Sequence, residues 1–366
     1  MSFQADARGK VDFYLQIILL AGYLYLFLLS IDMMGTSMKM FGKGFSESLI
    51  ASTSNPLVGV LIGVLSTSLI QSSSTTTTIV VGLVGGGGLT VANAIPIVMG
   101  ANIGTSVTNT LVALANMNRS AEFRRSFAAS IVHDFFNFLA VLVLFPLQYF
   151  TNFLGHASEA MAMSFSNIGG LNFLSPVQAA TKPVVHLISG MVRDTGWILL
   201  LIALLFLFIA LKQIVGTLRT LVLKRAESLF DKVLFKTALR AFVVGLILTV
   251  AVQSSSITVS LAVPLAGAGL LSLVKIFPFT LGANVGTTVT AVLASLVTGQ
   301  LFAVQVAFAH VLFNLFGIAA WYPFKQVPIS MAEGFAKIAT RNKLYPIAYI
   351  IVAFFIVPGI LIFILR

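Results

Sequence analysis

Two short polar motifs each occur twice in this chain, at the same separation. Gln71–Ser74 reads Gln-Ser-Ser-Ser and returns as Gln253–Ser256, and Gly100–Thr105 returns as Gly282–Thr287. When the two copies are aligned without a gap, 20 of the 46 positions from Gly63 to Thr108 are identical. Hydroxyl and amide groups can donate hydrogen bonds to an oxyanion and offer oxygens to a small hard cation. The chain therefore contains an internal duplication, and both halves carry the same uncharged hydroxyl and amide groups.

The composition places these motifs in a membrane. The chain is 58% hydrophobic and 9% charged, with a mean hydropathy of +1.01. Soluble domains carry about 25% charged residues. Runs such as Leu15–Leu29, Trp197–Leu211 and Ile347–Leu365 approach or reach the length that crosses a hydrocarbon core. We expect an all-α integral membrane protein whose first apolar run is a retained span.

The basic residues indicate orientation rather than nucleic-acid binding. The net charge is +11, but the basic residues cluster in short loops and no basic stripe is interleaved with aromatic residues. Arg8 and Lys10 predict a cytoplasmic N-terminus, and Lys212–Lys236 predicts a cytoplasmic loop. The corresponding stretch of the first half, Gly35–Asn55, has few basic residues. Opposite charge bias in equivalent loops is typical of repeats with inverted topology.

The duplication divides the chain into four parts. We expect a first transport repeat at residues 11–150, a linker at 151–193, a second transport repeat at 194–324, and a basic loop with an additional transmembrane helix at 325–366. The linker contains Gly169-Gly170, Pro176 and Pro183 and is predicted to be loop with an interfacial helix. The last apolar run, Tyr345–Leu365, has no counterpart in the first half.

The segments that carry the Gln-Ser-Ser-Ser motifs do not look like ordinary spans. Leu57–Ile70 is apolar but too short to cross a bilayer as a helix, and a continuous run of polar residues follows it. Polar backbone at membrane depth is tolerated only where protein or a watery cavity surrounds it. We therefore expect re-entrant hairpins or broken helices in both repeats, meeting at the bilayer midplane. A half-helix that begins at each break would direct free N–H groups into the cavity.

The interior of both repeats lacks fixed charge. No Asp, Glu, Lys or Arg occurs from Leu57 to Asn118, and only Lys275 occurs from Ala241 to Phe324. Such a cavity can donate hydrogen bonds to an anion but cannot neutralise it, and unpaired charge at membrane depth is costly. A mobile cation must enter with the anion, and sodium suits hydroxyl and amide oxygens. These features predict cation-coupled transport of a small anion without choosing the anion.

One carboxylate breaks the symmetry. Asp134 lies in Val132–Asn137, whereas the second half retains the His and Asn of this motif as His310 and Asn314 without the acid. Asp134 could bind an additional cation, or it could be an interfacial charge balanced by Arg124 or Arg125. We interpret the histidines as packing residues rather than metal ligands.

Together these strings resemble the type II sodium-dependent phosphate cotransporter family. The similarity rests on Gln71–Thr78, Gly100–Thr110, Val132–Asn137 and Val141–Pro146, and it covers both repeats. The resemblance implies that phosphate is bound by the two Gln-Ser-Ser-Ser motifs: Gln71, Ser72, Ser73, Ser74, Gln253, Ser254, Ser255 and Ser256. The expected sodium-binding residues are Thr75, Asn102, Thr105, Thr108, Asp134, Asn284 and Thr287.

The resemblance also implies a cellular setting. The chain has no cysteine and only a short linker, where animal members carry a large disulfide-bonded extracellular loop. It therefore resembles a compact bacterial version in the inner membrane. Sodium ions are expected as co-substrates with phosphate, without a further cofactor or metal, and a homodimer is compatible with the resemblance.

Three functions stay open at this point. The first is sodium-coupled phosphate import by alternating access. The second is a transporter, channel or exporter for phosphate or another small oxyanion on the same repeats. The third is an intramembrane enzyme acting on a phosphorylated lipid, for which the motif-bearing segments offer no acid pair, nucleophile–base pair or ligand cluster.

Overall fold

The computed structural model describes residues 2–114, 117–167, 175–193, 195–226 and 236–365, and every regular element in these ranges is helical. In chain order the helices are α1 (Ser2–Ser52), α2 (Pro56–Ile70), α3 (Ser73–Gly85), α4 (Val91–Ile103), α5 (Val107–Leu114), α6 (Ser120–Thr151), α7 (Phe153–Asn167), α8 (Ser175–Met191), α9 (Gly196–Ala226), α10 (Ala238–Val252), α11 (Ser255–Gly267), α12 (Leu273–Thr298), α13 (Leu301–Trp321), α14 (Gln326–Ala339), α15 (Leu344–Ile351) and α16 (Val357–Leu365). A 3₁₀ turn, Gly104–Ser106, joins α4 to α5, and a π-helical turn, Val352–Ile356, joins α15 to α16.

The lengths of these helices confirm an all-α integral membrane protein. Seven stretches within the described ranges are long and apolar enough to cross a bilayer: Tyr14–Gly42, Val91–Leu114, Ser120–Thr151, Gly196–Leu218, Leu273–Thr298, Leu301–Trp321 and Leu344–Leu365. An eighth results if Gly44–Ser52 and Pro56–Ile70, which meet at 92°, form one span. By contrast, α3, α10 and α11 are apolar but shorter.

Both Gln-Ser-Ser-Ser motifs break the helix, as their polarity predicts. In the first half α2 ends and Gln71 adopts a left-handed conformation with φ 62°; in the second half α10 ends and Gln253 does the same with φ 55°. The next residue is the N-cap of the following helix, with φ −154° and ψ 109° at both Ser72 and Ser254. Each serine oxygen accepts a hydrogen bond from the backbone N–H three residues on, at 3.2 Å in the first half and 3.3 Å in the second.

Glycines allow each broken segment to lie directly against its neighbour. A Cβ at any of four glycines would stand 1.9–2.0 Å from a backbone carbonyl oxygen of the facing helix. In the α2–α4 pair, Gly63 faces Ile97 and Gly100 faces Val60. In the α10–α12 pair, Gly245 faces Phe279 and Gly282 faces Phe242, which is the counterpart of Val60. Small residues at a membrane helix interface permit such backbone contact. The same two contacts therefore occur in both halves of the duplication.

The linker is more helical than the loop with an interfacial helix that its sequence predicts. Residues 168–174 lie outside the described ranges, but α7 and α8 on either side are regular helices. Helix α7 packs on α13, with the rings of Phe165 and Phe308 5.7 Å apart. Helix α8 contacts α1, where the Tyr25 hydroxyl donates to the carbonyl oxygen of Ala180 at 3.0 Å. Pro176 is compatible with helix because it lies in the first turn, where its missing N–H has no helical acceptor.

The C-terminal part is also more ordered than expected. Residues 326–339 of the predicted basic loop form α14, whose buried residues recur every three or four positions and face α6. The last apolar run forms the span Leu344–Leu365, and α16 packs on α2. The Asn55 side-chain amide donates to the Leu365 carbonyl oxygen at 3.4 Å. Of the basic segment Lys212–Lys236, residues 227–235 lie outside the described ranges, so its predicted orientation stays a prediction.

Backbone contact at the glycines generates a stability prediction. Gly100→Ala places a methyl group 1.9 Å from a carbonyl oxygen, so α2 and α4 must move apart. Overpacking of this kind costs about 1–3 kcal/mol, and we expect a clear loss of melting temperature for the protein purified in detergent. Gly334→Ala in α14 is the matched control, because nothing lies within 4 Å of its added Cβ. Equal melting temperatures for the two variants would contradict the close contact.

Candidate functional site

Each motif glutamine is held by its own half of the chain. The Thr108 hydroxyl donates to Gln71 Oε1 at 2.8 Å, and the Thr290 hydroxyl donates to Gln253 Oε1 at 2.6 Å. The glutamine Nε2 atoms donate back to carbonyl oxygens of the preceding helix, those of Ser68 and Val250. Each amide therefore keeps its second N–H and a second oxygen lone pair for a ligand. Thr290, which the sequence analysis did not select, is the counterpart of Thr108.

The motif serines open the helices that follow the two breaks. Ser73, Ser74, Ser255 and Ser256 are buried in the first turns of α3 and α11. The first N–H groups of a helix have no acceptor within the helix, and the aligned peptide dipoles leave partial positive charge there. Helix N-termini with adjacent hydroxyls are suited to bind anions without a fixed cation.

The second motif contacts the Gly-Ala-Asn motif of the first half. Ser256 Oγ donates to the Thr105 carbonyl oxygen at 3.3 Å, and one turn further Ser260 Oγ donates to Asn109 Oδ1 at 3.0 Å. Helix α11 thus lies along α5 and the 3₁₀ turn before it. The structure therefore brings two of the predicted residues, Ser256 and Thr105, together from opposite halves of the chain.

Four buried asparagines from both halves form one hydrogen-bonded cluster. Asn102 Nδ2 donates to Asn314 Oδ1 at 2.7 Å, and Asn284 Nδ2 donates to Asn137 Oδ1 and Asn314 Oδ1, each at 3.0 Å. Asn137 Nδ2 donates to the Asn102 carbonyl oxygen at 2.8 Å. His310 Nε2 lies 2.9 Å from Asn102 Oδ1. We call Asn102, Asn137, Asn284 and Asn314 the asparagine cluster.

Half of this cluster was absent from the predicted site. Asn102 and Asn284 were selected, whereas Asn137 and Asn314 were noted only as retained members of a motif. Their spacing carried the missing signal, because each stands four positions after a buried histidine, His133 in the first half and His310 in the second. Residues four apart lie on one face of a helix, so this spacing places each asparagine on the same face as its buried histidine.

Asp134 is fully buried in α6, where it has a hydrogen-bond partner that the sequence did not indicate. The Tyr349 hydroxyl, from α15, donates to Asp134 Oδ2 at 2.8 Å. Arg125 instead donates to the Gly267 carbonyl oxygen, through Nε at 2.8 Å and Nη2 at 2.6 Å, at the C-terminal end of α11. A cation there complements the negative end of the helix dipole. Arg125 therefore has a structural partner other than Asp134, and Tyr349 is a neighbour that the sequence analysis missed.

Comparison with known proteins decides the family. The sequence profile of the Na+/Pi-cotransporter family matches residues 26–175 and 205–336, and each matched segment contains one Gln-Ser-Ser-Ser motif. The chain belongs to the Na+/Pi-cotransporter family. This confirms the resemblance found in the motifs.

Relatives in this family include proteins named for sodium-dependent phosphate transport. The chain is 33% identical over 460 residues to sodium-dependent phosphate transport protein 2B of Homo sapiens, with 97% of the chain and 66% of the relative covered. It is 33% identical over 426 residues to protein 2A of Rattus norvegicus, with 94% and 67% covered. The chain thus spans about two thirds of the length of these relatives. No solved structure shows a significant match.

The predicted sodium-binding threonines of this Na+/Pi-cotransporter family member all donate their hydrogens within their own half. Thr75 Oγ1 donates to Ser72 Oγ at 2.9 Å. Thr105 Oγ1 donates to the carbonyl oxygen four residues earlier at 3.3 Å, and Thr287 Oγ1 does so at 3.1 Å. With Thr108 on Gln71, each hydroxyl oxygen presents its lone pairs rather than its hydrogen to the surroundings. Hydroxyls held in this way can act as cation ligands.

The asparagine cluster generates a second stability prediction. Asn314→Ala removes the acceptor of two buried amide donors, Asn102 Nδ2 and Asn284 Nδ2. Each unpaired buried donor costs about 1–3 kcal/mol, so we expect a lower melting temperature for the purified protein. Asn167→Ala, at the exposed end of α7, is the matched control and should melt with the wild type. A wild-type melting temperature for Asn314→Ala would refute the pairing.

Proposed function

We propose that the protein imports inorganic phosphate by sodium-coupled secondary active transport, using alternating access. The observation that carries the proposal is the pair of matched helix breaks at the Gln-Ser-Ser-Ser motifs, each followed by a helix N-terminus lined with buried serines. Membership of the Na+/Pi-cotransporter family and relatives named as sodium-dependent phosphate transport proteins support the same ions.

In this proposal phosphate is bound by hydrogen bonds rather than by fixed charge. The serine hydroxyls and the first N–H groups of α3 and α11 supply donors, and the spare N–H groups of Gln71 and Gln253 supply more. No Lys or Arg occurs in the motif-bearing segments apart from Lys275. Donors without full charge can accept an oxyanion and release it again, which a transporter requires.

Sodium supplies the missing positive charge. The proposed ligands are oxygen atoms of Thr75, Asn102, Thr105, Thr108, Asn284 and Thr287 with the carboxylate of Asp134. Because phosphate and sodium each stabilise the other in a cavity without fixed positive charge, the binding of one raises the affinity for the other by the same factor. This mutual stabilisation is the physical basis of the proposed coupling.

We further propose that residues 11–150 and 194–324 are inverted-topology repeats, with α2–α3 and α10–α11 as re-entrant hairpins that meet near the bilayer midplane. Glycine contacts and glutamine–threonine bonds that recur at the same separation as the motifs support equivalent repeats. The asparagine cluster supports a contact between them. We propose a bacterial inner membrane location with a cytoplasmic N-terminus, and a homodimer as the assembly to test.

The first test of this function is radiolabelled phosphate uptake into proteoliposomes with an inward sodium gradient, compared with matched potassium or choline. We expect accumulation that requires sodium and that arsenate inhibits more than sulfate does. No accumulation by correctly inserted protein would argue against import. Sulfate inhibition stronger than that of arsenate would favour another oxyanion, and phosphate loss from preloaded vesicles would favour export.

The motif serines give a sharper test of the site. Ser73→Ala and Ser255→Ala each remove one donor to the bound anion, and a hydrogen bond to a charged group contributes about 1.5–3 kcal/mol. We therefore expect the phosphate concentration for half-maximal uptake to rise about tenfold or more in each variant. Ser164→Ala on the exposed face of α7 serves as the control. Wild-type uptake by both motif variants would remove these serines from the site.

A further inference from the structure

The C-terminal span makes a buried polar contact with the first repeat at Asp134. Tyr349 belongs to α15, outside both proposed repeats, yet its hydroxyl donates to Asp134 Oδ2 at 2.8 Å. We propose that Tyr349 is a positioning residue for sodium binding, which holds the Asp134 carboxylate in the orientation that binds a cation. The inference rests on the proposed sodium-coupled function and adds to it a residue that lies outside the repeats.

Aromatic packing holds the phenol in place against α6. The ring of Tyr349 lies 5.0 Å from that of Phe335 in α14 and meets the ring of Phe354 edge-on at 5.5 Å. Phe335 in turn meets the ring of Phe135, which is next to Asp134, at 6.4 Å. Edge-to-face pairs of this kind stabilise a defined ring orientation. The hydroxyl therefore reaches the carboxylate from a fixed direction.

A π-helical turn that begins three residues after Tyr349 adds a further contact with α6. Val352–Ile356 form the turn, and its Phe354 is fully buried. The Phe354 ring lies 6.2 Å from that of Phe138, one helical turn beyond Asp134 on the same face of α6. Single π-helical turns are frequent at functional sites because they redirect side chains. Here the turn places the Phe354 ring against two rings, that of Tyr349 and that of Phe138 beyond Asp134.

Tyr349 contacts the half of the chain that has an acid in its His-and-Asn motif, and the other half has no acid there. Aligning the His-and-Asn motifs of the two halves, His133 with His310 and Asn137 with Asn314, places Val311 opposite Asp134. The second repeat thus has no carboxylate at this point for a donor to orient. A phenol is a neutral donor, so it directs the carboxylate without cancelling the negative charge that attracts a cation. A Lys or Arg in its position would compete with sodium.

The test is the sodium dependence of phosphate uptake in Tyr349→Phe, which keeps the ring and removes the hydroxyl. We expect the sodium concentration for half-maximal uptake to rise about tenfold, the effect of losing one hydrogen bond to a charged group. The maximal rate should stay within about twofold, and the KM for phosphate at saturating sodium should not change, because the ring packing is intact. Tyr345→Phe, one turn earlier and exposed, is the matched control and should equal the wild type.

A double-mutant cycle with Asp134→Asn separates positioning from general packing. If Tyr349 acts through the carboxylate, Tyr349→Phe will not raise the sodium concentration for half-maximal uptake any further when Asp134→Asn is already present. If that background is too slow for uptake, the same cycle is measured as equilibrium binding of radiolabelled sodium to the purified protein. The inference would be overturned if the effects of the two substitutions add, or if Tyr349→Phe keeps the wild-type sodium concentration for half-maximal uptake. Failure of the wild type to couple uptake to sodium would instead overturn the proposed function.

Discussion

A helix break leaves backbone groups without helical partners, and lipid cannot supply partners for them. The rest of the structure depends on the two breaks at the Gln-Ser-Ser-Ser motifs. The exposed donors are partly capped by Ser72 and Ser254, and the motif glutamines are tied to Thr108 and Thr290. Glycine contacts then bring a neighbouring helix directly against each broken segment. The first N–H groups of α3 and α11 have no acceptor within their own helices, and they are the donors that the proposed function assigns to an anion.

The helix breaks and the asparagine cluster are built almost entirely from uncharged groups. Amides, hydroxyls, backbone carbonyls and a histidine ring form the polar contacts of the asparagine cluster and the helix breaks among the described residues. Asp134 departs from this pattern, and it meets a phenol from a span outside the duplication. The contacts that recur in both halves are therefore uncharged, whereas the acid lies in the first half alone and its phenol lies outside the duplication.

The helix breaks and the duplication could be predicted from the sequence because each depends on residues that are adjacent in the chain. A polar run after a short apolar one forces a break, and repetition at a fixed separation reveals the second copy. The partners of Asn102 and Asp134 could not be predicted in the same way, since they lie 212 and 215 residues away on other helices. The linker forms two helices, α7 and α8, where loop with an interfacial helix was predicted, and α14 forms where a basic loop was predicted. Glycine, proline and charge locally favour loops, whereas packing on α13, α1 and α6 favours helix.

The amide pairing of the asparagine cluster has an electrical consequence. An amide is a dipole without net charge, so moving this contact through the membrane field performs almost no work, whereas one elementary charge gains or loses about 2.3 kcal/mol per 100 mV. An amide can also exchange one partner for another without releasing a proton or uncovering an ion. In the proposed alternating-access cycle, a shift of the two halves against each other at this contact would therefore not depend on the membrane voltage. Any voltage dependence of the proposed cycle would then arise from the transported ions and from Asp134.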